Sequence, residues 1–301
     1  MYRNVTVGLD GSAESRAAAE WAAREAELRG LPLKLVHVWE PIPDPIAQAP
    51  LLGPETHRHW TERIPRENVH GLRLRHPRLD VTSEQVAGKP ADVLMEAAKH
   101  TELLVLGSRG LSGLAGFLVG SVGQVVIGHT ETPVVLVRAG EQASDEHVMD
   151  PSGIPSAATA YRPVVLGLDT GSPDEAVIAF AFEEAARRGT ALHVVNSWNL
   201  PPYYVYGLTA GIDPHDEVLR QKTAELAETL RPWREKHPNV EVFEVSRSGG
   251  PAQDIVTAAR EASLVVVGRR VRRAQVGAHI GPVTHAVLHH AAAPVAVVAH
   301  C

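Results

Sequence analysis

The chain contains GKPADVLMEAAKHTELLVLG at residues 88–107 and GGPAQDIVTAAREASLVVVG at residues 249–268, two versions of one pattern. Each version has a proline near its start, apolar residues at helical spacing, and four consecutive apolar residues before a glycine. Proline suits the first turn of a helix, and a short apolar run suits a strand that is buried on both faces. The pattern therefore predicts a helix followed by a buried strand, once in each half of the chain.

The repetition continues on both sides of this pattern. Near the start of each copy, VTVGLDGS at residues 5–12 matches VVLGLDTGS at residues 164–172. At the end of each copy, TPVVLV at residues 132–137 matches APVAVV at residues 293–298. Because the offset between the copies stays between 159 and 161 residues, few insertions separate them, and two homologous domains explain the sequence best.

The segment between the two copies, residues 141–161, has the composition of a linker. It is rich in Ser, Pro, Ala and acidic residues and lacks the periodicity of a helix or a strand. We therefore expect one domain at residues 1–140 and another at residues 162–301. The length of 301 residues agrees, since a domain typically has about 150 residues.

Strand-like and helix-like segments alternate within each copy. The first copy begins with an apolar run at residues 5–9, followed by a helical pattern at residues 13–29 that ends at Gly30. In the second copy, the stretch from Ser172 to Glu175 predicts a capping box for the matching helix. The predicted fold class is α/β, with two tandem doubly wound parallel-sheet domains of Rossmann-like type. Such sheets bind ligands where the strand order reverses.

Composition and charge exclude several classes of function. The net charge of −6 gives no general attraction to nucleic acid or to an anionic membrane, so neither partner is expected. The sequence has no apolar run of the length of a membrane helix and no signal-peptide pattern. A single cysteine, Cys301, allows no intrachain disulfide. We therefore expect a cytoplasmic protein.

The stretch GSRGLSGLAGFLVGS at residues 107–121 is rich in glycine and follows a predicted strand. Glycine lets a ligand approach the main chain, and the stretch leads into the N-terminus of a predicted helix, where unpaired N–H groups favour an anion. Ser121 adds a hydroxyl donor. A few charge-assisted hydrogen bonds, each contributing roughly 1.5–3 kcal/mol, suffice to hold a polyphosphate. The alternative interpretation is a flexible loop without a ligand.

Two common phosphate motifs are absent from the sequence. There is no Walker motif GxxxxGK[ST], and no lysine occurs between residues 100 and 221. The dinucleotide motif GxGxxG does not follow the first predicted strand. A phosphate site in this chain is therefore expected to consist largely of backbone N–H groups.

The glycine spacing resembles the ATP-binding pattern of universal stress proteins, G-x2-G-x9-G-[S/T]. It is formed here by Gly107, Gly110, Gly120 and Ser121. Asp10 after the first strand and the final TPVVLV segment also agree with the family, and the resemblance covers both halves of the chain, as in tandem-domain actinobacterial members. It implies the fold of the adenine nucleotide α-hydrolase-like proteins and a site for ATP, a ligand that Mg²⁺ commonly accompanies.

The resemblance also implies candidate site residues in the first domain. Asp10 matches a position that contacts the nucleoside, the backbone at Val38 matches one that reads adenine, and Gly8 leaves room beside the ligand. From the residues alone, Asp10 is also compatible with capping the first helix, and Val38 with an ordinary strand position. The predicted ATP-binding residues of this domain are Gly8, Asp10, Val38, Gly107, Arg109, Gly110, Gly120, Ser121 and Val122.

The second copy of the loop, GRRVRRAQVGAHIGP at residues 268–282, has lost part of this pattern. Val271 stands in the position of Gly110, and Pro282 replaces Ser121. Proline has neither an N–H group nor a hydroxyl, so up to two donors are lost. Four arginines in this loop either pair with phosphate in compensation or form a solvated loop. We expect a weaker second ATP site, at Gly167, Asp169, Gly268 and Gly281.

The sequence gives little evidence for catalytic or metal-binding residues. His285 and His289 have the i, i+4 spacing of a two-histidine site, but no further ligand follows at a suitable spacing, so no metal site is predicted. His37 is either a general base or a structural histidine. No nucleophile and base pair is recognised, so catalytic residues are not assigned and at most slow ATP hydrolysis is expected.

The final apolar segment of each copy is a candidate for pairing between domains. In the universal stress protein family, which this sequence resembles, dimers form through this strand. The resemblance therefore implies that the two copies pair with each other within one chain, as a pseudo-dimer, and that the whole chain forms a homodimer through another surface.

The leading hypothesis is an ATP-binding universal stress protein that regulates a stress or growth state according to its nucleotide occupancy. One alternative is an ATP-hydrolysing or ATP-using enzyme of the same fold, and another is a nucleotide-independent assembly module. Nucleotide analysis of the purified protein separates these hypotheses. Retained ATP supports the regulator, turned-over product supports the enzyme, and absence of nucleotide supports the assembly module.

Overall fold

A computed structural model describes the protein over residues 3–40, 54–108, 120–199, 214–271 and 280–300, with side chains from residue 63 and from residue 216 in the segments that begin at 54 and 214. The chain divides into two compact units. The first contains Met1–Gln142, and the second contains Ala143–Arg273 and Gly281–Cys301. None of the helices in the described ranges has the length and hydropathy needed to cross a bilayer.

The first unit alternates strands and helices, as predicted. Its strands are β1 Val5–Leu9, β2 Leu33–Trp39, β3 Val81–Ala87, β4 Leu103–Ser108 and β5 Val134–Arg138. Its helices are α1 Ala13–Arg29, α2 Pro54–Arg75, α3 Pro90–Ala98 and α4 Ser121–His129. Neighbouring strands are parallel in the order β3-β2-β1-β4-β5, so the order reverses between β1 and β4. The predicted α/β class with a doubly wound parallel sheet is confirmed.

The second unit repeats this arrangement. Its strands are β6 Val164–Gly167, β7 Leu192–Trp198, β8 Val242–Ser248, β9 Leu264–Arg270 and β10 Val295–His300. Its helices are α5 Glu175–Arg188, α6 Pro214–Lys236, α7 Pro251–Ala258 and α8 Pro282–His290. The parallel order is β8-β7-β6-β9-β10, which corresponds strand by strand to the order in the first unit.

The core of each unit consists of the apolar runs that predicted buried strands. Leu103, Leu104 and Val105 of β4 are fully buried, as strands covered on both faces should be. The helix α1 contributes fully buried alanines such as Ala18 and Ala22. Because alanine is small, this helix packs close to β1 and β4, which places its first turn beside the carboxyl ends of both strands.

The first helix of each unit ends in a buried ion pair at i, i+4 spacing. In α1, Arg29 Nε lies 2.7 Å from Glu25 Oε1, and Arg29 also pairs with Glu102 at 2.9 Å. In α5, Arg188 pairs with Glu184, and both side chains are fully buried. Each pair compensates charges that are buried at the end of the helix, so removal of one partner should destabilise its unit.

The two helices differ at their start. Ser12 is the N-cap of α1, and its hydroxyl accepts a hydrogen bond from Ser15 N at 3.1 Å. The capping box predicted from Ser172 is wrong, because α5 begins later, with Asp174 as the N-cap accepting from Ala176 N at 2.9 Å. The physical reason is that Ser172 Oγ instead accepts a hydrogen bond from Arg270.

The segment predicted as a linker is more ordered than its composition indicated. Residues Ala143–Glu146 form a 3₁₀ helix, and His147 and Tyr161 form an antiparallel bridge with ring centroids 4.0 Å apart. His147 Nδ1 donates to the Thr159 carbonyl at 2.6 Å, and the His147 side chain is buried. The segment therefore folds back on itself as part of the second unit.

Candidate functional site

A cleft of about 420 Å³ lies in the first unit at the carboxyl ends of β1, β2 and β4. The strand order reverses between β1 and β4, and open parallel sheets bind ligands at this position. The volume is within the range of small-molecule sites. The cleft has an apolar half and a polar half, which are formed by different elements.

The apolar half is formed by β2, α3 and the end of β4. Val36 and Val38 line it from β2, and Leu94 and Leu106 line it from α3 and β4. Side chains alternate between the faces of a strand, so His37 lies on the opposite face from both valines, and it is buried there. The structure therefore does not place His37 in the cleft, and the general-base interpretation gains no support.

Gly8 lies at the floor of this apolar half. A Cβ atom at this position would lie 2.8 Å from Leu106 Cδ2 and 3.2 Å from Leu94 Cδ2. The sequence analysis assigned the missing side chain to room for a ligand. The structure shows instead that two leucine side chains occupy this space, and these leucines in turn line the cleft.

The polar half begins at the turn after β1. Asp10 Oδ1 accepts hydrogen bonds from Ser12 N at 3.0 Å and from Ser12 Oγ at 2.5 Å. Asp10 is therefore not the helix cap itself, since Ser12 is the N-cap, and Asp10 orients the capping serine. Asp10, Ser12, Glu14 and Ser15 all line the cleft, so the first turn of α1 forms one of its walls.

The start of α4 forms the opposite part of the polar half. Gly120 is the N-cap and provides no side-chain hydrogen bond to the first turn. Ser121, Val122 and Gly123 follow it and line the cleft. The first N–H groups of a helix have no partner within the helix, and the helix dipole makes this end partly positive. The arrangement therefore suits an anionic group.

Gly107 has a packing role that the sequence analysis did not anticipate. A Cβ atom there would lie 2.6 Å from the carbonyl carbon of Glu14 and 2.8 Å from Ser15 N. The end of β4 thus contacts the backbone of α1, and any side chain would separate them. Gly107 also lines the cleft, so one residue serves both helix packing and the shape of the site.

Most of the predicted residues of the first site are close together. Seven line the cleft: Gly8, Asp10, Val38, Gly107, Gly120, Ser121 and Val122. Arg109 and Gly110 lie outside the described residues. The sequence analysis missed Leu9, Ser12, Glu14, Ser15, Val36, Pro90, Leu94, Leu106 and Gly123. Three of them, Leu9, Leu106 and Gly123, adjoin a predicted residue in sequence, and the alternation of β2 was the available signal for Val36.

The equivalent position of the second unit has a different packing. A Cβ atom at Gly167 would lie 2.5 Å from Ile255 Cδ1, closer than any contact found for Gly8. Gly268 faces the ring of His300, whose Cδ2 and Nε2 would lie 2.9 Å from a Cβ atom. Thr284 stands where Gly123 stands in the first unit, and its hydroxyl donates to the Gly268 carbonyl at 2.8 Å. Ile255 and Thr284 thus contact the strand glycines from the positions that Leu94 and Gly123 hold in the first unit.

The start of α8 keeps the geometry of α4 with fewer donors. Gly281 is the N-cap, with φ −59° and ψ 154°, against φ −59° and ψ 152° at Gly120. Pro282 occupies the first helical position and supplies no N–H group. Asp169 Oδ1 accepts from Gly171 N at 2.9 Å, so the aspartate orients its own turn, as Asp10 does.

Two of the four loop arginines lie within the described residues, and neither is simply solvated. Arg269 is buried, and Arg270 Nη2 donates to Ser172 Oγ at 2.5 Å. Arg272 and Arg273 lie outside the described residues. The position of Val38 is taken in the second unit by Ser197, whose hydroxyl donates to Asp254 Oδ2 at 2.6 Å. One apolar lining position of the first unit thus corresponds to a polar contact in the second.

The histidines of α8 approach one another closely. The ring centroids of His285 and His289 lie 4.3 Å apart. Within the described ranges, no group of three or more His, Cys, Asp or Glu side chains is arranged to hold a metal ion.

Comparisons with known proteins match nearly the whole chain to one family. The model of the Universal stress protein family matches residues 1–138 and 160–299. A universal stress protein of Mycobacterium tuberculosis is 35% identical over 300 residues, which cover 97% of this chain and 96% of the relative. Another, from Mycolicibacterium smegmatis, is 32% identical over 305 residues, with 98% and 96% covered. The crystal structure of a universal stress protein from Archaeoglobus fulgidus DSM 4304 covers 99% of both chains with a TM-score of 0.73 at 17% identity, and it shows the same fold.

Proposed function

This chain belongs to the universal stress protein family, and we propose that it binds ATP in the cleft of its first unit and acts as a nucleotide-dependent regulator of a stress or growth state. The observation that supports this proposal is the convergence of an apolar slot and two helix N-termini on one cleft of about 420 Å³.

The apolar half suits the adenine ring. Val36, Val38 and Leu94 offer flat apolar contact, and a strand backbone beside them has N–H and C=O groups that can recognise the edge of a base. The ribose and the phosphates then extend toward the polar half. Asp10, at the junction of the two halves, is placed to accept hydrogen bonds from ribose hydroxyls.

The polar half suits the phosphates. The first turns of α1 and α4 both line it, and each carries the positive end of a helix dipole. The first N–H groups of α4 have no partner within the helix, whereas Ser15 N in α1 already donates to Ser12 Oγ at 3.1 Å. Ser121 adds its N–H group and its hydroxyl. Each hydrogen bond to a charged phosphate contributes roughly 1.5–3 kcal/mol, so a few such bonds hold the group without a lysine.

The same half contains two carboxylates, Asp10 and Glu14, among its described lining residues. Two negative side chains beside a triphosphate repel it unless a cation lies between them. Mg²⁺ binds through one or two carboxylates together with substrate phosphates, so these residues fit a magnesium–ATP complex. We therefore expect ATP to bind more tightly with Mg²⁺ than without it.

The second unit is expected to bind ATP more weakly or not at all. Its α8 begins with a proline, Thr284 occupies the position of Gly123, and Ile255 lies against Gly167. Occupancy of the first unit would then be the regulatory signal. A cytoplasmic location, a homodimer of the whole chain and a pseudo-dimer of the two halves stay part of this proposal.

Titration calorimetry of the full chain with magnesium–ATP tests the proposal. The expected result is one equivalent of ATP per chain, with the affinity strongly reduced in Gly123→Thr, which introduces the threonine of the second unit. Thr284→Gly is the matched control and should leave the first site unchanged. Two equivalents with equal affinity, or full affinity in Gly123→Thr, would contradict the assigned cleft.

Nucleotide analysis of gently purified protein separates regulation from catalysis. Intact ATP in the denatured protein is the expected result for a regulator. Recovery of hydrolysed product would favour an enzyme, and a chain that neither retains nor binds nucleotide would favour an assembly module.

A further inference from the structure

A second cavity of the first unit lies between α2 and β3 and has a volume of about 740 Å³. It shares no described lining residue with the proposed nucleotide cleft. One wall carries three basic side chains of α2 at i, i+4 and i+7 spacing, namely Arg66, His70 and Arg73. The remaining lining residues are uncharged: Pro65, Val69, Ser83 and Gln85. These seven residues are called the basic groove below.

No carboxylate of the described residues forms an ion pair with the three basic side chains. The two acidic residues nearest in sequence are engaged elsewhere: Glu67 with Arg63 at 2.5 Å, and Glu84 with Lys34 at 2.5 Å. The whole chain has a net charge of −6, so a groove of one sign, without described counter-charges, is a local departure from the overall charge.

Arg73 is held in a defined position. Its Nη2 donates to the carbonyl of Val81, the first residue of β3, at 2.7 Å. One of its five N–H donors is thereby used, and the guanidinium is held beside the start of β3. A pre-oriented guanidinium loses less conformational freedom when it binds a ligand.

The second unit repeats this arrangement but neutralises it. Arg234, the counterpart of Arg73, donates to the Val242 carbonyl at 3.2 Å, as the repeat requires. It also pairs with Glu244 at 2.5 Å, and Glu244 stands where Ser83 stands in the first unit. The same arginine therefore has an internal carboxylate partner in one unit and a neutral serine in the other.

The counterpart of His70 is neutralised too. Arg231 lies 2.7 Å from Glu228 and 3.5 Å from Glu235. The hydrogen bond and charge of Arg231 lower the pKa of Glu228, so this pair is ionised on both sides at neutral pH. The second unit thus offers no uncompensated cationic groove at this position among its described residues.

We propose that the basic groove of the first unit binds a small molecule that carries two phosphate groups. Guanidinium groups match phosphate in a bidentate manner. Arg66 and Arg73 are seven residues apart on one helix, which corresponds to roughly 10 Å along its axis. This separation exceeds the size of one phosphate and suits two, with His70 between them and the hydroxyl of Ser83 and the amide of Gln85 on the opposite wall.

Nuclear magnetic resonance of the full chain with labelled histidine rings tests this proposal. Pyrophosphate is titrated at constant ionic strength without ATP or Mg²⁺, and the His70 signal, which reports the groove and not the cleft, is identified by its loss in His70→Gln. A saturable shift of this signal is expected, with orthophosphate binding at least about tenfold more weakly because it reaches only one arginine. A shift that does not saturate, or equal binding of both ions, would overturn the proposal.

Exchange of the residues that distinguish the two units provides the matched variants. Ser83→Glu introduces the carboxylate of the second unit and should weaken pyrophosphate binding at least about tenfold. Ser83→Gln has a similar size without the charge and should stay within about twofold, as should Arg231→Gln in the second unit. Equal binding by Ser83→Glu and Ser83→Gln would contradict the proposal.

Folding and the nucleotide cleft are controlled separately. Ser83 is exposed, so thermal unfolding of both variants should match that of the parent. Their ATP affinity by calorimetry should also be unchanged, because the groove and the cleft share no described lining residue. Loss of pyrophosphate binding with intact ATP binding supports the groove independently of the proposed function.

Discussion

At the helix that follows the fourth strand, the first unit has Ser121 and Gly123, whereas the second unit has Pro282 and Thr284. Both helices are nine residues long and begin after a glycine with nearly identical backbone angles. In the first unit these positions line a cleft. In the second unit, the threonine hydroxyl donates to the backbone of the preceding strand.

This difference shows which features the fold requires and which it does not. The fold needs a buried strand beside the helix and a residue that can start a helix. Proline meets the last requirement as well as serine does. Hydrogen-bond donors directed into a cleft are not needed for folding, so they can be lost in one copy while the sheet persists. The two units therefore serve as controls for each other.

The largest expected effect concerns the buried ion pairs at the ends of the first helices. Glu184→Ala removes a fully buried carboxylate that pairs with both Arg187 and the fully buried Arg188, which should cost about 3–5 kcal/mol of stability. Glu25→Ala should cost less, because Arg29 keeps Glu102 at 2.9 Å. Hydrogen exchange measured separately over α5 and α1 checks this order, and equal losses would show that Glu102 does not substitute.

The next effect concerns the donors at α4. Ser121→Pro introduces the proline of the second unit, and the loss of one N–H group and one hydroxyl should weaken ATP binding about a hundredfold. The backbone of α4 should remain, since Pro282 occupies the same position in α8. Calorimetry measures the change. The reciprocal Pro282→Ser should not create a second equivalent, because Thr284 still stands at the position of Gly123.

A smaller effect separates the two strand glycines. Gly107→Ala places a methyl group 2.6 Å from the backbone of Glu14, so α1 must move, and the free energy of unfolding should fall by about 1–3 kcal/mol. Gly268→Ala meets two side chains, the ring of His300 at 2.9 Å and Val177 Cγ2 at 3.3 Å, and no backbone atom closer than these, so its loss should be smaller. Thermal unfolding of the two variants tests the difference, and the reverse order would contradict the described packing.

The smallest expected effect is a dependence of stability on pH in the second unit. Partial burial beside Phe243 lowers the pKa of His193 because desolvation opposes its charged form, with Glu241 opposing that shift. Above about pH 6.5 the ring is neutral in both states and contributes nothing. As the pH is lowered below this value, the unfolded chain takes up the proton before the folded chain does, so the free energy of unfolding decreases.

The first unit provides the control for this effect, because Lys34 stands at the position of His193 and pairs with Glu84. His193→Gln should remove this part of the decline from hydrogen exchange over β7 and leave β2 unchanged. An unaltered decline over β7 in the variant would show that another group is responsible.

The secondary structure could be predicted from the sequence where it depends on a local pattern. The apolar run at residues 5–9 and the helix at residues 13–29 have the predicted bounds, since strand burial and helix capping depend on neighbouring residues. The start of α5 could not be predicted in this way. Ser172 resembles a cap in sequence, but its hydroxyl accepts from Arg270, which is 98 residues away in the chain.

The candidate site shows the same limit. Gly8, Asp10 and Ser121 were accessible because a motif and a family resemblance mark them. Glu14 and Ser15 line the cleft only because Gly107 lets α1 approach β4, a contact between segments about 90 residues apart. The role of Thr284 was also hidden, since a threonine in a helix indicates nothing about a carbonyl of the preceding strand.

The folded junction decides where the two halves can be separated. Tyr161 accepts a hydrogen bond from Thr190 through its carbonyl, and the guanidinium of Arg162 donates to the His147 carbonyl at 2.8 Å. A fragment that begins at residue 162 would lose these anchors and expose the end of α5 to water. A separately expressed second half should therefore begin at Ala143, and the shorter fragment should be the more readily digested by protease.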